Sequence, residues 1–226
     1  MSPYIVEFYE KSFAMRGVLW EAVIETLTMS LISTLLATIV GFALSIVLIM
    51  SDKEGVSPNP YVYKILDIII NMLRSFPFII LIIVLFPVTK LLVGKHTGTF
   101  AMIVPLTIGT APFIARMIEN AFKEVDKSVV EAAKSFGANK FQIIFRVLLP
   151  EAFPSIISAI TLALIIIIGF SAMAGTVGGG GLGAVAMNYG YYRFDGIYIF
   201  WTVLILIILV QIFQTLGDFL YKIIKR

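Results

Sequence analysis

Five long apolar stretches, near 26–50, 65–88, 100–122, 155–174 and 197–221, alternate with short polar links along this 226-residue chain. Each supplies the roughly 20 apolar residues that a helix needs to cross a bilayer, so the pattern predicts five spans. Pro105, Thr107, Gly109, Thr110 and Pro112 interrupt the third. Neighbouring helices and hydroxyls re-satisfy the carbonyls that a proline frees, so one kinked helix is expected there. The link 52–60, with Gly55, Pro58 and Pro60, reads as a turn-rich loop. Ahead of the spans, Tyr4, Ile5, Phe8, Tyr9 and Phe13 suggest that residues 1–21 form an interfacial segment. No repeat or second domain is visible, and 22–222 is expected to form one unit.

The polar island 123–150, between the third and fourth stretches, carries the densest local signal. Ser128-x-x-Glu131 reads as a capping box that starts a short helix, and Gly137 falls where a left-handed residue would end it. Asn139-x-x-Gln142 offers a second helix start, with Phe141, Ile144, Phe145 and Leu148 at helical spacing up to Pro150. A helix hairpin is the expectation. Ala132 and Ala133 leave its first helix open to close approach by another surface, and Glu131 adds one charge to fix register.

A hydrophobic fraction of 59% lies far above that of a water-soluble domain, so the fold class expected is an all-α polytopic membrane protein. There is no cysteine, which removes thiol chemistry, and the one histidine, His96, sits in a short polar link with Gly94, Lys95 and Gly98. No metal set, nucleophile–base pair or cofactor motif is discernible, and no basic run points to nucleic acid. The N-terminus has Glu7 and Glu10 ahead of Lys11 and Arg16 and no short apolar core with a small-residue cleavage site, so no removable signal peptide is expected.

Charge distribution orients the spans. Lys53, Lys64, Arg116, Lys123, Lys127, Lys134, Lys140, Arg146, Lys222, Lys225 and Arg226 fall on one side; Lys11, Arg16, Lys90, Lys95 and Arg193 fall on the other. By the positive-inside rule the island 123–150 faces the cytoplasm, with the N-terminus outside and the C-terminus inside.

Other motifs weaken on inspection. Gly178, Gly180 and Gly183 match G-x-G-x-x-G, but an apolar span precedes them in place of a strand and no acidic residue follows at the required distance, so an irregular turn closing the fourth span is expected. No Gly-x4-Gly-Lys-Ser/Thr occurs, so the chain has no phosphate-binding loop of that kind. Arg74, before Ser75, Phe76 and Pro77, reads either as a functional intramembrane charge or as an arginine reaching the headgroups. Glu119 is placed to pair with Arg116.

The series Glu131-Ala132-Ala133, Gly137 and Val147-Leu148-Leu149-Pro150 resembles the cytoplasmic signature of permease subunits of type I ABC importers, with Val147 in place of the usual isoleucine. The stretches 115–120, 171–175 and 177–183, with Tyr189-Gly190-Tyr191, are similar to the methionine-uptake branch. The resemblance implies a homodimer in the cytoplasmic membrane whose coupling loops dock two ABC ATP-binding subunits through Glu131, Ala132, Ala133, Gly137, Leu149 and Pro150. It also implies an extracytoplasmic methionine-binding protein or lipoprotein, alternating access, and no bond chemistry in this chain. Ser171, Met173 and Gly175, with Arg74 and Pro77, are the candidates for the translocation path. Two alternatives stand beside import of L- or D-methionine: the same fold carrying another small amino acid, and an ion-coupled secondary transporter. The latter would place ionisable groups near the midplane, where Arg74 is alone.

Overall fold

The computed structural model describes residues 3–225, with side chains from residue 8 onward. The expectations resting on the side chains of Tyr4, Ile5 and Glu7, and on Arg226, lie outside the described residues. All elements among the described residues are helical: α1 (Pro3–Ala14), α2 (Arg16–Ser51), α3 (Pro60–Arg74), α4 (Phe78–Val84), α5 (Phe86–Val93), α6 (Thr99–Lys123), α7 (Lys127–Ser135), α8 (Lys140–Gln142), α9 (Leu149–Thr176), α10 (Gly181–Val185) and α11 (Gly196–Ile224). Two π-helical stretches, Ile143–Leu148 and Ala186–Tyr191, join α8 to α9 and extend α10.

Among the described residues, four helical stretches are long and apolar enough to cross a membrane, and five if α3 and α4 count together as one broken span. The continuous helix expected over 65–88 does not form. α3 stops at Arg74, Ser75 closes it, and α4 starts only at Phe78, after a break. The cause is local: Pro77 disfavours helical backbone at Phe76, and Pro77 itself is extended (φ −60°, ψ 123°) as the first-turn cap of α4. The third stretch does form one helix through Pro105 and Pro112.

The first span also starts earlier than its apolar run. α2 begins at Arg16, so the interfacial segment expected over 1–21 contains α1 plus the first residues of α2. Glu21 and Glu25 mark a change of composition without ending a helix, since glutamate is a good helix former. Along α2 the buried positions Ala22, Thr26, Met29, Ser33, Ala37, Ser45 and Leu48 recur at helical spacing. That stripe is mostly small, which lets neighbouring helices approach closely.

The chain gathers into two compact units. In the first (Met1–Ser33, Pro77–Thr107, Leu164–Phe213), Met29, Phe78, Leu81, Ile82, Met102, Leu106, Ile167 and Ala174 form one core cluster, with Phe78 stacked on Phe170 at 4.1 Å. A second cluster there joins Met15, Leu19 and Ala22 to Leu182 and Val185. Phe8 of α1 stacks on Trp201, whose indole N–H donates to Ser12 Oγ at 2.9 Å. In the second unit (Thr34–Phe76, Ile108–Ala163, Gln214–Arg226), Ile49, Ile114, Ile118, Phe122, Ile143, Ile144 and Leu148 form the core. Only 6% of the apolar window of α11 is buried within the chain, so most of its surface is left for lipid or another polypeptide.

Candidate functional site

The island 123–150 folds as a helix hairpin held by its own capping groups. Asp126, and not Ser128, is the N-cap of α7: its carboxylate accepts from the Ser128 N–H at 2.9 Å. The two residues are both good caps two positions apart, and the structure selects the earlier. That backbone hydrogen bond holds the Asp126 carboxyl below the ordinary aspartate range.

Gly137 ends α7 as expected, at φ +78°. Its N–H donates to Lys134 O at 2.9 Å, and the Ala138 N–H donates back to Ala133 O at 3.0 Å. This 5→2 and 6→1 pair is a Schellman closure, which needs the left-handed residue that glycine supplies. Asn139 then caps α8 reciprocally: Gln142 N–H donates to Asn139 Oδ1 at 2.9 Å, and Asn139 N–H donates to Gln142 Oε1 at 2.8 Å.

The second helix does not stop at Pro150. Its backbone widens into a π-helix over Ile143–Leu148, closed by Leu149 N–H to Ile144 O, and runs on as α9. In a normal α turn the Pro150 ring would clash with the carbonyl four residues back, and the wider turn accommodates it. The buried residues are Ile143, Ile144 and Leu148, whereas Phe141 and Phe145 are exposed, against the helical spacing read from the sequence.

The hairpin has an inner and an outer face. Val130, Ala133 and Ala138 pack on the core, with Leu149 behind them. Glu131, Ala132, Lys134 and Pro150 are not part of that packing, and Glu131, Ala132 and Pro150 are exposed, so Ala132 and Ala133 do not share one open surface. Phe136, missed in the sequence, is 92% exposed at the hairpin tip. Phe141, later in the hairpin, is exposed as well.

Behind the hairpin lies a network of ion pairs. Glu119 is fully buried; it accepts from Arg116 Nη1 at 2.7 Å, Lys123 Nζ at 2.7 Å and the Tyr63 hydroxyl at 2.9 Å. The expected pair Glu119–Arg116 is therefore one edge of a larger set. Arg116 also pairs with Asp67, and Lys123 with Asp52 at 2.8 Å. Burial pushes the Asp52 carboxyl up, but the hydrogen bonds from Lys123 and the Glu54 N–H outweigh it and leave the group below the ordinary aspartate range.

The path candidates occupy different surroundings. Ser171 is buried, its hydroxyl donating to Ile168 O at 2.7 Å. Met173 is 46% exposed, and Gly175 is buried against α10. Pro77 begins α4, next to the Phe78–Phe170 stack. Arg74 is exposed at the end of α3, in the other unit.

The glycine-rich turn after α9 follows a helix, so the dinucleotide fingerprint has no strand before it. Gly178, Gly180 and Gly181 all have positive φ. Two α2 side chains that the sequence did not single out hold this turn: Glu25 accepts from the Gly181 N–H at 2.6 Å, and Thr26 Oγ1 accepts from the Leu182 N–H at 2.9 Å. The available signal was a carboxylate inside an apolar helix.

The chain is similar to known proteins along most of its length. The chain is 48% identical over 198 residues to the probable D-methionine transport system permease protein MetI of Vibrio cholerae, covering 88% of each chain. It is 44% identical over 208 residues to the methionine import system permease protein MetP of Bacillus subtilis, covering 92% of this chain and 94% of that one. A solved structure of the MetNI methionine ABC transporter in an inward-facing conformation superposes with a TM-score of 0.93 at 39% identity, covering 94% of this chain and 99% of that one. The sequence profile of the binding-protein-dependent transport system inner membrane components matches residues 41–226, and the chain belongs to that family.

Proposed function

We propose that this chain is the permease subunit of an ATP-driven ABC importer that carries methionine across the cytoplasmic membrane by alternating access. The observation that carries the proposal is the two-faced hairpin: Val130, Ala133 and Ala138 seat it on the core, while Glu131, Ala132 and Phe136 project outward beside Gly137. A rigid element anchored on one side and open on the other transmits the displacement of a partner docked on it. The names of the relatives supply the cargo.

Two copies of the chain, with two ABC ATP-binding subunits on their hairpins and an extracytoplasmic methionine-binding protein opposite, make up the working assembly. Closure of the ATPases draws the hairpins together and opens the path outward. Met173 lies along that path, with Ser171 and Gly175 packed behind it on the buried side of α9, the N-terminus is outside and the C-terminus is cytoplasmic. The permease contributes binding, orientation and movement, and hydrolysis belongs to its partner.

The test is uptake of labelled methionine into proteoliposomes holding the permease, its ATPase and its binding protein. Uptake that needs internal ATP and is competed by unlabelled methionine is expected. ATP-dependent uptake of another amino acid alone would favour the rival cargo, and uptake driven by an ion gradient without the ATPase would overturn the mechanism. Because the chain has no cysteine, single cysteines report sidedness directly: Lys134→Cys should react from the cytoplasmic side and Lys95→Cys from outside.

A further inference from the structure

We infer that Glu119 is a positioning residue that locks α3 to α6 and so carries the movement of the hairpin into α3. The inference rests on the coupling role proposed for the hairpin above.

Its basis is an unbroken set of polar contacts within one compact unit. At the hairpin, Lys127 Nζ pairs with Glu54 at 2.5 Å and Lys140 Nζ donates to Ser57 Oγ at 2.9 Å. Both partners lie in the link between α2 and α3. That link is tied to the end of α6 through Asp52–Lys123, and α6 is tied to α3 through Glu119–Tyr63 and Arg116–Asp67. Two members reach three others each: Glu119 holds Tyr63 on α3 and Arg116 and Lys123 on α6, and Lys123 holds Asp52, Glu119 and Tyr63; of the two, Glu119 is the fully buried one.

Burial makes this node stiff. A carboxylate withdrawn from water is tolerable only while its charge is met by donors, so Glu119 holds Arg116, Lys123 and Tyr63 in one arrangement. The hairpin end of the set is looser: Lys127 and Glu54 are exposed. Beside it lies a cavity of about 560 Å³ lined in part by Asp52, Glu54, Lys123, Lys127, Glu131 and Lys134. The set is therefore rigid where it grips α3 and has room where the hairpin must move. The apolar contacts of Val130 and Ala133 hold the hairpin to the core; the polar set is what adds α3.

The experiment uses Glu119→Gln and Asp67→Asn permeases in the complete complex, reconstituted in proteoliposomes. The first substitution would set an amide N–H₂ against one of the donors that the carboxylate now accepts from, and the second would remove the charge at the α3 end. Each variant should keep stimulated ATP hydrolysis, Asp67→Asn at the wild-type melting temperature and Glu119→Gln at a lowered one, while methionine moved per ATP falls about tenfold, the scale of a typical coupling free energy. A purely structural role would lower melting temperature and both activities together, and that result overturns the inference. So does a wild-type ratio of uptake to hydrolysis in Asp67→Asn, which decides alone if Glu119→Gln does not assemble. Absence of ATP-dependent methionine uptake by the wild-type complex would instead sink the functional reading, and this inference with it.

Discussion

Gly175 and Gly183 meet backbone to backbone: a Cβ on Gly175 would lie 2.7 Å from the carbonyl carbon of Gly183 and 2.4 Å from the backbone nitrogen of Ala184. A Cβ on Gly183 would come within 2.1 Å of the Ala172 carbonyl oxygen. These are contacts with main chain, which no side-chain rotation relieves. An exposed helical glycine replaced by alanine normally gains stability. Here the sign reverses: Gly175→Ala and Gly183→Ala should each destabilise by about 1–3 kcal/mol, the cost of forcing extra volume into a packed contact. The double variant should lose less than the sum, because the first methyl already parts the helices. Thermal melting of the purified permease measures this, and an unchanged or raised midpoint would refute the close approach.

Gly137 sits at φ +78° with nothing within 4 Å of a Cβ built on it, so its requirement is conformational and not spatial. A branched side chain should cost roughly 1–2 kcal/mol in that left-handed region, whereas asparagine enters it readily. Gly137→Val should therefore lose the Schellman closure and with it most ATP-driven uptake, at normal membrane expression. Gly137→Asn should transport. Equal uptake by the two variants would show that the turn does not matter to coupling.

The hairpin was legible because its determinants are local. Gly137, Asn139 and Gln142 act on backbone groups within five residues, and the sequence records those neighbours directly. Asp126 was missed for the same reason in reverse: two acceptable caps stand two residues apart, and propensity does not rank them. The break at Ser75–Pro77 was not legible, because Pro105 and Pro112 in α6 carry the same local penalty and are absorbed. The buttress of Glu25 on Gly181 joins residues 156 apart, and Asp67–Arg116 joins residues 49 apart. No periodicity marks such pairs. They exist because folding brings a half-buried carboxylate to donors that replace the water it loses.

Acid should loosen α7 through Asp126. Its folded-state pKa lies below the ordinary value of 3.8, so the cap contributes stability that is complete above that value and is lost as pH falls through the folded one. Amide-exchange protection at Val129 and Val130, corrected for intrinsic rates, should hold down to about pH 5 and drop from there to about pH 2. Asparagine caps helices as well as aspartate but does not titrate, so Asp126→Asn should flatten the profile. Identical profiles for the two proteins would place the titration elsewhere.

Met173 separates packing from gating. Ala174 and Gly175 are buried, as is Ser171, while Gly169, Met173 and Thr176 lie exposed at helical spacing on the other side of α9. A methionine that is 46% exposed is not a core residue of this chain. Met173→Ala should then leave the melting temperature near that of the wild type, far from the loss of about 2–5 kcal/mol that deletion of a buried methionine brings. If two copies of α9 face each other across the path, the paired thioethers form a deformable apolar constriction, and the small Gly169 one turn away leaves them room to swing. Removing them should raise the leak of methionine down its gradient, or ATP hydrolysis in the absence of binding protein, with assembly intact. A drop in thermal stability with leak and basal hydrolysis unchanged would assign Met173 to packing within the assembly and remove it from the path.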